Sequence, residues 1–243
     1  DEVYTVKLLK ETGRAYNTEI NDLLLTALGL SIKSFTGSNK VFIDLEGHGR
    51  EPIGEDIDVS RTVGWFTSVY PVILDMSSND LPCQIRKVKE TMRNIPDKGI
   101  GYGLIKYMSS FGKGDILKSC GKPEICFNYL GDFDACIDPA VFTLSDIPAG
   151  PLVSPDSERQ YTFEINIIVT KGNLTVMLNY NRFQYNEKLV CVFLESFRDN
   201  LINIIDHCTR RNVSEITPGD LTTDNLDQED MDEIFAELEE KNR

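Results

Sequence analysis

Two runs of alternating apolar and polar residues, YTFEINIIVT (161–170) and LTVMLNYNRF (174–183), are separated only by Lys171-Gly172-Asn173. A connection that short, with a glycine inside it, reverses the chain tightly and sets the two runs side by side as an antiparallel hairpin. Phe163, Ile165, Ile167 and Val169 then share one face, and Leu174, Val176, Leu178 and Tyr180 answer them from the second strand. An apolar face of that length needs cover, so the hairpin belongs to a sheet with helices packed on it.

Candidate helices lie on both sides of it. In TEINDLLLTALGLSIKSF, Ile20, Leu23, Leu24, Ala27 and Leu28 fall at helical spacing, with Thr18 as expected cap and Gly37 just past the end. LPCQIRKVKETMRNI puts Ile85, Val88, Met92 and Ile95 on one face, and Pro96 is expected to end it. A third helix is expected from Glu187 to His207 behind Asn186, with Leu189, Phe193, Phe197, Leu201, Ile204, Ile205 and Cys208 as its buried stripe. His207 near its C-terminus reads as a favourable end charge. Residues 1–16 read as a strand or short helix. Further strands are expected at RTVGWFTSVYPVIL (61–74), mostly buried, with Trp65 in the core, and at PEICFNYLGDFD (123–134), ended by Gly131. Residues 135–160 read as a long loop, with a short strand at 141–144. PDKGIGYG (96–103) reads as a loop; its glycines do not sit in a βαβ unit, so a phosphate cradle is not expected. The class is therefore α+β or mixed α/β, a mixed sheet covered by helices.

The stretch KVFIDLEGHGRE (40–51) carries the chemistry. Val41, Ile43 and Leu45 point to one face and Phe42, Asp44 and Glu46 to the other, and the strand breaks at Gly47-His48-Gly49. Glu46 thus sits where a strand meets a loop, placed to act as an acid/base group. The competing reading is a solvated surface charge, the commoner fate of a carboxylate.

The formal net charge is −14, and residues 220–243 hold ten acidic and two basic residues, or −8 of it. No basic stripe exists to neutralise phosphates, so nucleic acid is excluded as a partner. No apolar run is long enough to span a bilayer, and no membrane partner is expected. Cys83, Cys120, Cys126, Cys136, Cys191 and Cys208 form no CxxC pair, and His48 and His207 are the only histidines, so no zinc spacing exists. Scattered thiols of this kind read as reduced, in a cytoplasmic protein. The opening DEVYTVKLL reads as a piece of something longer. Thr217-Pro218-Gly219-Asp220 reads as a linker, and the organisation expected is a domain over 1–216, a linker over 217–226 and an acidic amphipathic helix over 227–243. There Met231, Ile234, Phe235 and Leu238 form one stripe at i, i+3, i+4 and i+7. So short a helix is not stable alone, so the stripe either folds back on its own domain or docks in a partner's groove.

NDLLLTALG (21–29), EGHGRE (46–51), RTVGWFTSVYPVIL (61–74), PDKGIGYG (96–103) and FNYLGDFD (127–134) occur in the order and rough spacing found in epimerization domains of nonribosomal peptide synthetases, and the chain resembles their C-terminal lobe. The tail LDQEDMDEIFAEL resembles the communication-mediating donor segment that ends such subunits. The resemblance implies a chloramphenicol-acetyltransferase-like lobe, one of two that enclose an active-site tunnel. The other lobe carries an HHxxxDG histidine motif, and this chain has none, so the fragment by itself is expected to be inactive. A peptide-bond-forming condensation domain is the nearest alternative. It would show GxFVNT-like and HQDxPFE-like segments where this chain has GWFTSVYP and NIPDKGIGYG. A chloramphenicol-type acyltransferase is disfavoured, because its histidine motif has no counterpart here. A non-catalytic interaction module is the other class of reading.

What the resemblance implies is epimerisation at the Cα of an aminoacyl or peptidyl thioester carried on the 4'-phosphopantetheine of a carrier domain, with no cofactor bound by this lobe. Glu46 matches the family's catalytic glutamate, and the missing lobe's histidine would be its partner. Asn128 and Tyr129 match residues near the site, although the pleat sends their side chains to opposite faces. His48 has the chemistry of a second base but reads as holding the turn. Arg50 and Arg61 are expected to fix loops or meet a carrier phosphate, and Trp65 is placed with them as tunnel or loop support. The upstream carrier domain and, through the tail, the next synthetase subunit are the implied partners.

Overall fold

In the computed structural model of the chain, Phe163–Thr170 pairs antiparallel with Asn173–Tyr180. The opposed residues are Phe163 with Tyr180, Ile165 with Leu178, Ile167 with Val176 and Val169 with Leu174, so the two apolar faces expected from the alternation do meet. The turn is one residue shorter than the sequence suggested. Lys171 and Gly172 form it alone, both at positive φ (52° and 71°), the backbone of a two-residue turn that follows strand twist. The structure describes residues 1–52, 57–108, 121–135, 140, 141, 145, 147, 150, 153, 154 and 157–221. The tail stripe Met231, Ile234, Phe235 and Leu238 therefore lies outside the described residues, as do positions 142–144 of the short strand expected in the long loop.

Among the described residues, five strands make one sheet: β1 (Lys40–Gly47), β2 (Ser68–Asp75), β3 (Ile125–Asp132), β4 (Phe163–Thr170) and β5 (Asn173–Tyr180), in spatial order β2-β1-β3-β4-β5. β1, β3 and β4 run parallel and β5 antiparallel to β4, so the sheet is mixed, as expected for an α+β chain. Among the described residues the α-helices are α1 (Glu2–Lys10), α2 (Ile20–Thr36), α3 (Leu81–Arg93), α4 (Gly101–Met108) and α5 (Glu187–Arg210). None of them is long and apolar enough to cross a membrane.

The chain divides into two units. The first holds Asp1–Thr5, Phe42–Ile73 and Gly99–Val190, and is built on the sheet. Its apolar face buries Ile43, Leu45, Phe127, Ile165, Ile167 and Val169. The second holds Val6–Val41, Leu74–Lys98 and Cys191–Arg243, and its described residues are mostly helical. Leu23, Leu24, Leu25 and Leu28 of α2 are buried there with Ile85 and Val88 of α3 and with Phe193, Phe197 and Ile204 of α5. Asn200 Nδ2 donates to Ser31 Oγ at 2.9 Å, and the Phe35 and Phe193 rings meet edge to face, tying α5 to α2.

Several expectations are corrected. Of the two readings of the first residues, the helix holds: they form α1 and a 3-10 turn, Thr12–Ala15. Glu19, not Thr18, caps α2, exchanging bonds with Asp22, while Gly37 closes it at φ 75° as expected. The strand expected over 61–74 starts only at Ser68. Trp65 is 91 % exposed and Val63 fully so, because the chain from Arg61 to Thr67 has no strand partner among the described residues to bury alternate residues. PDKGIGYG is a loop only in its first half: Pro96–Gly99 is an irregular turn with Asp97 and Lys98 at positive φ (45° and 49°), and α4 begins at Gly101. Gly131 does not end β3; at φ 89° it sits where the register against β4 shifts, between Tyr129 and Asp132. Leu189 is exposed, and Val190 takes its place in the α5 stripe. His207 is no end charge: Nε2 lies 2.7 Å from the Tyr16 hydroxyl, and burial holds the imidazole below its usual pKa. The linker drawn from Thr217 is packed instead. Thr217 is fully buried, and Asp220 pairs with buried Lys89 and accepts from Asn17 Nδ2 at 2.8 Å.

Candidate active site

Everything that surrounds Glu46 follows from register. Parallel pairing sets Asp44 opposite Cys126 and Leu45 opposite Phe127, then Cys126 opposite Glu164 and Asn128 opposite Asn166. Across β5, Glu164 meets Asn179 and Asn166 meets Met177. Since side chains alternate between faces, the polar face of the sheet carries two rows. One runs Asp44, Cys126, Glu164, Asn179. The next runs Glu46, Asn128, Asn166, Met177.

Glu46 sits one residue before the end of β1, half-buried, with both carboxylate oxygens engaged. Asn128 Nδ2 donates to Oε2 at 2.7 Å, and the Cys126 thiol donates to Oε1 at 3.6 Å. Cys126 is 5 % exposed, and burial, reinforced by the Glu46 charge, pushes its thiol well above the ordinary range. It stays protonated and is a donor, not a nucleophile. In the neighbouring row the Tyr161 hydroxyl donates to Asp44 Oδ2 at 2.8 Å, and burial together with that bond holds the phenol protonated. Arg159 Nη2 pairs with Glu164 Oε2 at 3.1 Å. A cavity of about 1060 Å³ opens beside the Asp44 row, lined by Arg159, Tyr161, Glu164, Asn179 and Arg182 among others; Glu46 is not in its wall.

The loop after β1 is organised around Arg50. Its Nη1 donates to the Val59 carbonyl, and its guanidinium lies 4.2 Å from the centroid of the Phe66 ring. His48 holds the turn itself: Nδ1 accepts from the Arg50 amide at 3.0 Å, and Nε2 lies 3.0 Å from Glu51 Oε1. Gly49 has φ 64°, and a Cβ there would stand 1.6 Å from the Phe66 carbonyl oxygen, so only glycine lets the loop close.

Of the residues singled out from the sequence, the structure thus brings Glu46 and Asn128 into contact and puts His48 and Arg50 in the adjoining loop. Tyr129 is separated from them. It pairs with Ile167 on the apolar face, half-buried, where burial raises its phenol, so it stands on the opposite side of the sheet from Glu46. Arg61 and Trp65 are exposed in the stretch before β2. Cys126, Asp44, Tyr161 and Asn166 were not singled out. Their signal is the pleat of β3 and β4, which becomes readable only once the parallel register against β1 is known. Among the described residues no cluster of histidine, cysteine and carboxylate side chains could hold a metal ion.

The family model described as "Condensation domain" matches residues 2–226. Surfactin synthase subunit 1 of Bacillus subtilis (strain 168) is 42% identical over 232 residues, covering 95% of this chain and 6% of the relative. Gramicidin S synthase 1 of Brevibacillus brevis is 44% identical over 240 residues, 95% of this chain and 22% of the relative. The chain therefore spans a small fraction of the curated relatives it matches. Among solved structures, the epimerization domain from the third module of tyrocidine synthetase B superposes with a TM-score of 0.80 at 44% identity, covering 87% of this chain and 47% of that one. The first condensation domain of the CDA synthetase gives a TM-score of 0.56 at 14% identity, covering 88% and 44%, a likeness of fold alone.

Proposed function

The chain belongs to the condensation-domain family of nonribosomal peptide synthetases, and on that premise we propose that it is the C-terminal lobe of an epimerization domain. It would convert an L-aminoacyl or peptidyl residue, held as a thioester on the 4'-phosphopantetheine of a carrier domain, to the D form. The observation that carries this reading is Glu46: a carboxylate at the end of a strand, on the polar face, gripped at both oxygens by neutral donors from the next strand. Two such bonds fix the direction of the carboxylate without neutralising it, the condition for moving a proton at one defined carbon.

Inversion at Cα removes a proton from one face and returns one to the other. Two acid/base groups on opposite sides are the natural arrangement. Glu46 serves one side, and the histidine of an upstream lobe serves the other, so this lobe alone turns over no substrate. His48 is occupied at both ring nitrogens in the turn, which argues for its holding the loop rather than acting as second base. Arg50 anchors that loop beside Glu46.

The likeness to a solved epimerization domain at 44% identity, against 14% for a condensation domain, favours this reading over peptide-bond formation. The segment 227–243, acidic and carrying Met231, Ile234, Phe235 and Leu238 on one stripe, serves as a docking helix for a basic surface on the next synthetase subunit. The deciding experiment joins the chain to its upstream lobe, presents a loaded carrier domain and follows solvent deuterium into Cα. Wild type exchanges and Glu46→Gln loses most of the exchange. Equal exchange in both would make Glu46 structural. Absence of exchange in wild type across loaded substrates would overturn the epimerase reading in favour of condensation or pure docking.

A further inference from the structure

Removing a proton from the Cα of a thioester leaves its electron pair delocalised onto the carbonyl oxygen, and a site that does this supplies a hydrogen-bond donor to that oxygen. The face around Glu46 is rich in acceptors, with Asp44, Glu46 and Glu164 all on it. Its nearest side-chain donors are each at least partly engaged. The Tyr161 hydroxyl is engaged by Asp44, the Cys126 thiol by Glu46, and Arg159 by Glu164. Asn128 has one N–H on Glu46. Lys106 Nζ lies over the Tyr102 and Tyr107 rings, 5.2 Å and 5.5 Å from their centroids. Asn179 is exposed, on the outer strand and in the Asp44 row.

Asn166 differs from all of these. It is half-buried, it lies in the Glu46 row directly beside Asn128, and no group among the described residues bonds its side-chain amide. Resting on the epimerase reading, we propose that Asn166 is a catalytic residue whose amide N–H binds the thioester carbonyl oxygen and holds the charge that develops there. The spacing suits it. The Glu46 carboxylate is drawn over β3 by Cys126 and Asn128, and Asn166 stands one strand further on, about 4.8 Å away between strand axes. A Cα–C=O unit with a hydrogen bond at its oxygen spans that step. The Cα–H bond breaks with its proton passing to the base, and the electron pair moves to the oxygen facing Asn166. Reprotonation from the other face re-forms the Cα–H bond and releases the oxygen.

The test uses the chain with its upstream lobe and an aminoacyl-loaded carrier domain, comparing wild type, Glu46→Gln, Asn166→Ala and the isosteric Asn166→Asp by deuterium entry at Cα. Asn166→Ala is expected to slow exchange about 100-fold with the melting temperature unchanged, as for loss of one oxyanion donor. Asn166→Asp, which replaces the donor with a negative acceptor, is expected to slow it further. Should Asn166→Ala fail to fold, Asn166→Asp decides alone. If both Asn166 variants exchange within about threefold of wild type while Glu46→Gln is dead, Asn166 is no donor and the epimerase reading stands. If wild type does not exchange, that reading falls and the role of Asn166 with it.

Discussion

Asn128 Nδ2 lies 2.7 Å from Glu46 Oε2, a bond made across two parallel strands by residues eighty-two positions apart. A hydrogen bond to a charged group contributes about 2 kcal/mol. If Glu46 moves the Cα proton, Asn128→Ala is expected to cost roughly 30-fold in Cα deuterium exchange. Asn128→Asp should cost more, because it sets a second carboxylate against the first. Exchange in both variants equal to wild type would show that the carboxylate finds its orientation without Asn128.

Arg50 joins the two ends of the loop that follows β1, through the Val59 carbonyl and the Phe66 ring. Lysine keeps the charge but not the planar stack or the forked donors. Arg50→Lys should therefore leave the sheet intact by circular dichroism and speed limited proteolysis between residues 57 and 66. Cleavage at the wild-type rate would assign the loop's shape to Gly49 and His48 instead.

How far the sequence reached is clear at particular residues. The hairpin and its facing apolar sides were legible from the alternation, but its register was not, because the turn is Lys171-Gly172 alone and Asn173 already pairs with Thr170. Glu46 was legible as a strand-end carboxylate, and Asn128 as lying on the opposite face from Tyr129. The alliance of Glu46 with Cys126 was not, since parallel strands are joined through long connections and local pattern says nothing of their stagger. Trp65 and Val63 misled for a related reason. Their apolar, β-prone character imitates a buried strand, but strand formation needs a partner, and the described sheet offers none before Ser68. Asp220 misled in the other direction. A Pro-Gly-Asp run reads as linker, and only a lysine 131 positions away makes it part of the fold.

That lysine, Lys89, is fully buried, bonded to the Tyr16 carbonyl at 2.8 Å and paired with Asp220, which is itself 8% exposed at the side chain. Breaking a buried pair from one side strands the other charge and costs about 3–5 kcal/mol. Lys89→Ala should lower the denaturation midpoint accordingly and free the segment from Thr217 onward for proteolysis. Combining Lys89→Met with Asp220→Asn removes both charges and should recover much of the loss. A single variant as stable as wild type would mean the pair contributes nothing to holding that segment.

Asp22 should make stability fall as pH rises through the mildly acidic range. It is 1% exposed, with Oδ2 accepting from the Glu19 amide at 2.8 Å and from Arg93 Nη2 at 3.2 Å. Burial pushes its carboxyl up from 3.8 to about 6, and Arg93 only partly offsets that. The folded state therefore binds this proton more tightly than the unfolded chain does. The stabilisation is complete below about pH 3.8 and is lost as pH rises through about 6, a change of roughly 3 kcal/mol. Asp22→Asn keeps an acceptor for the Glu19 amide and removes the titration. The difference in urea midpoint between variant and wild type should thus grow in the variant's favour from pH 4 to pH 7. A difference that stays constant across that range would place the proton elsewhere and leave Asp22 ionised and well paired in the folded protein.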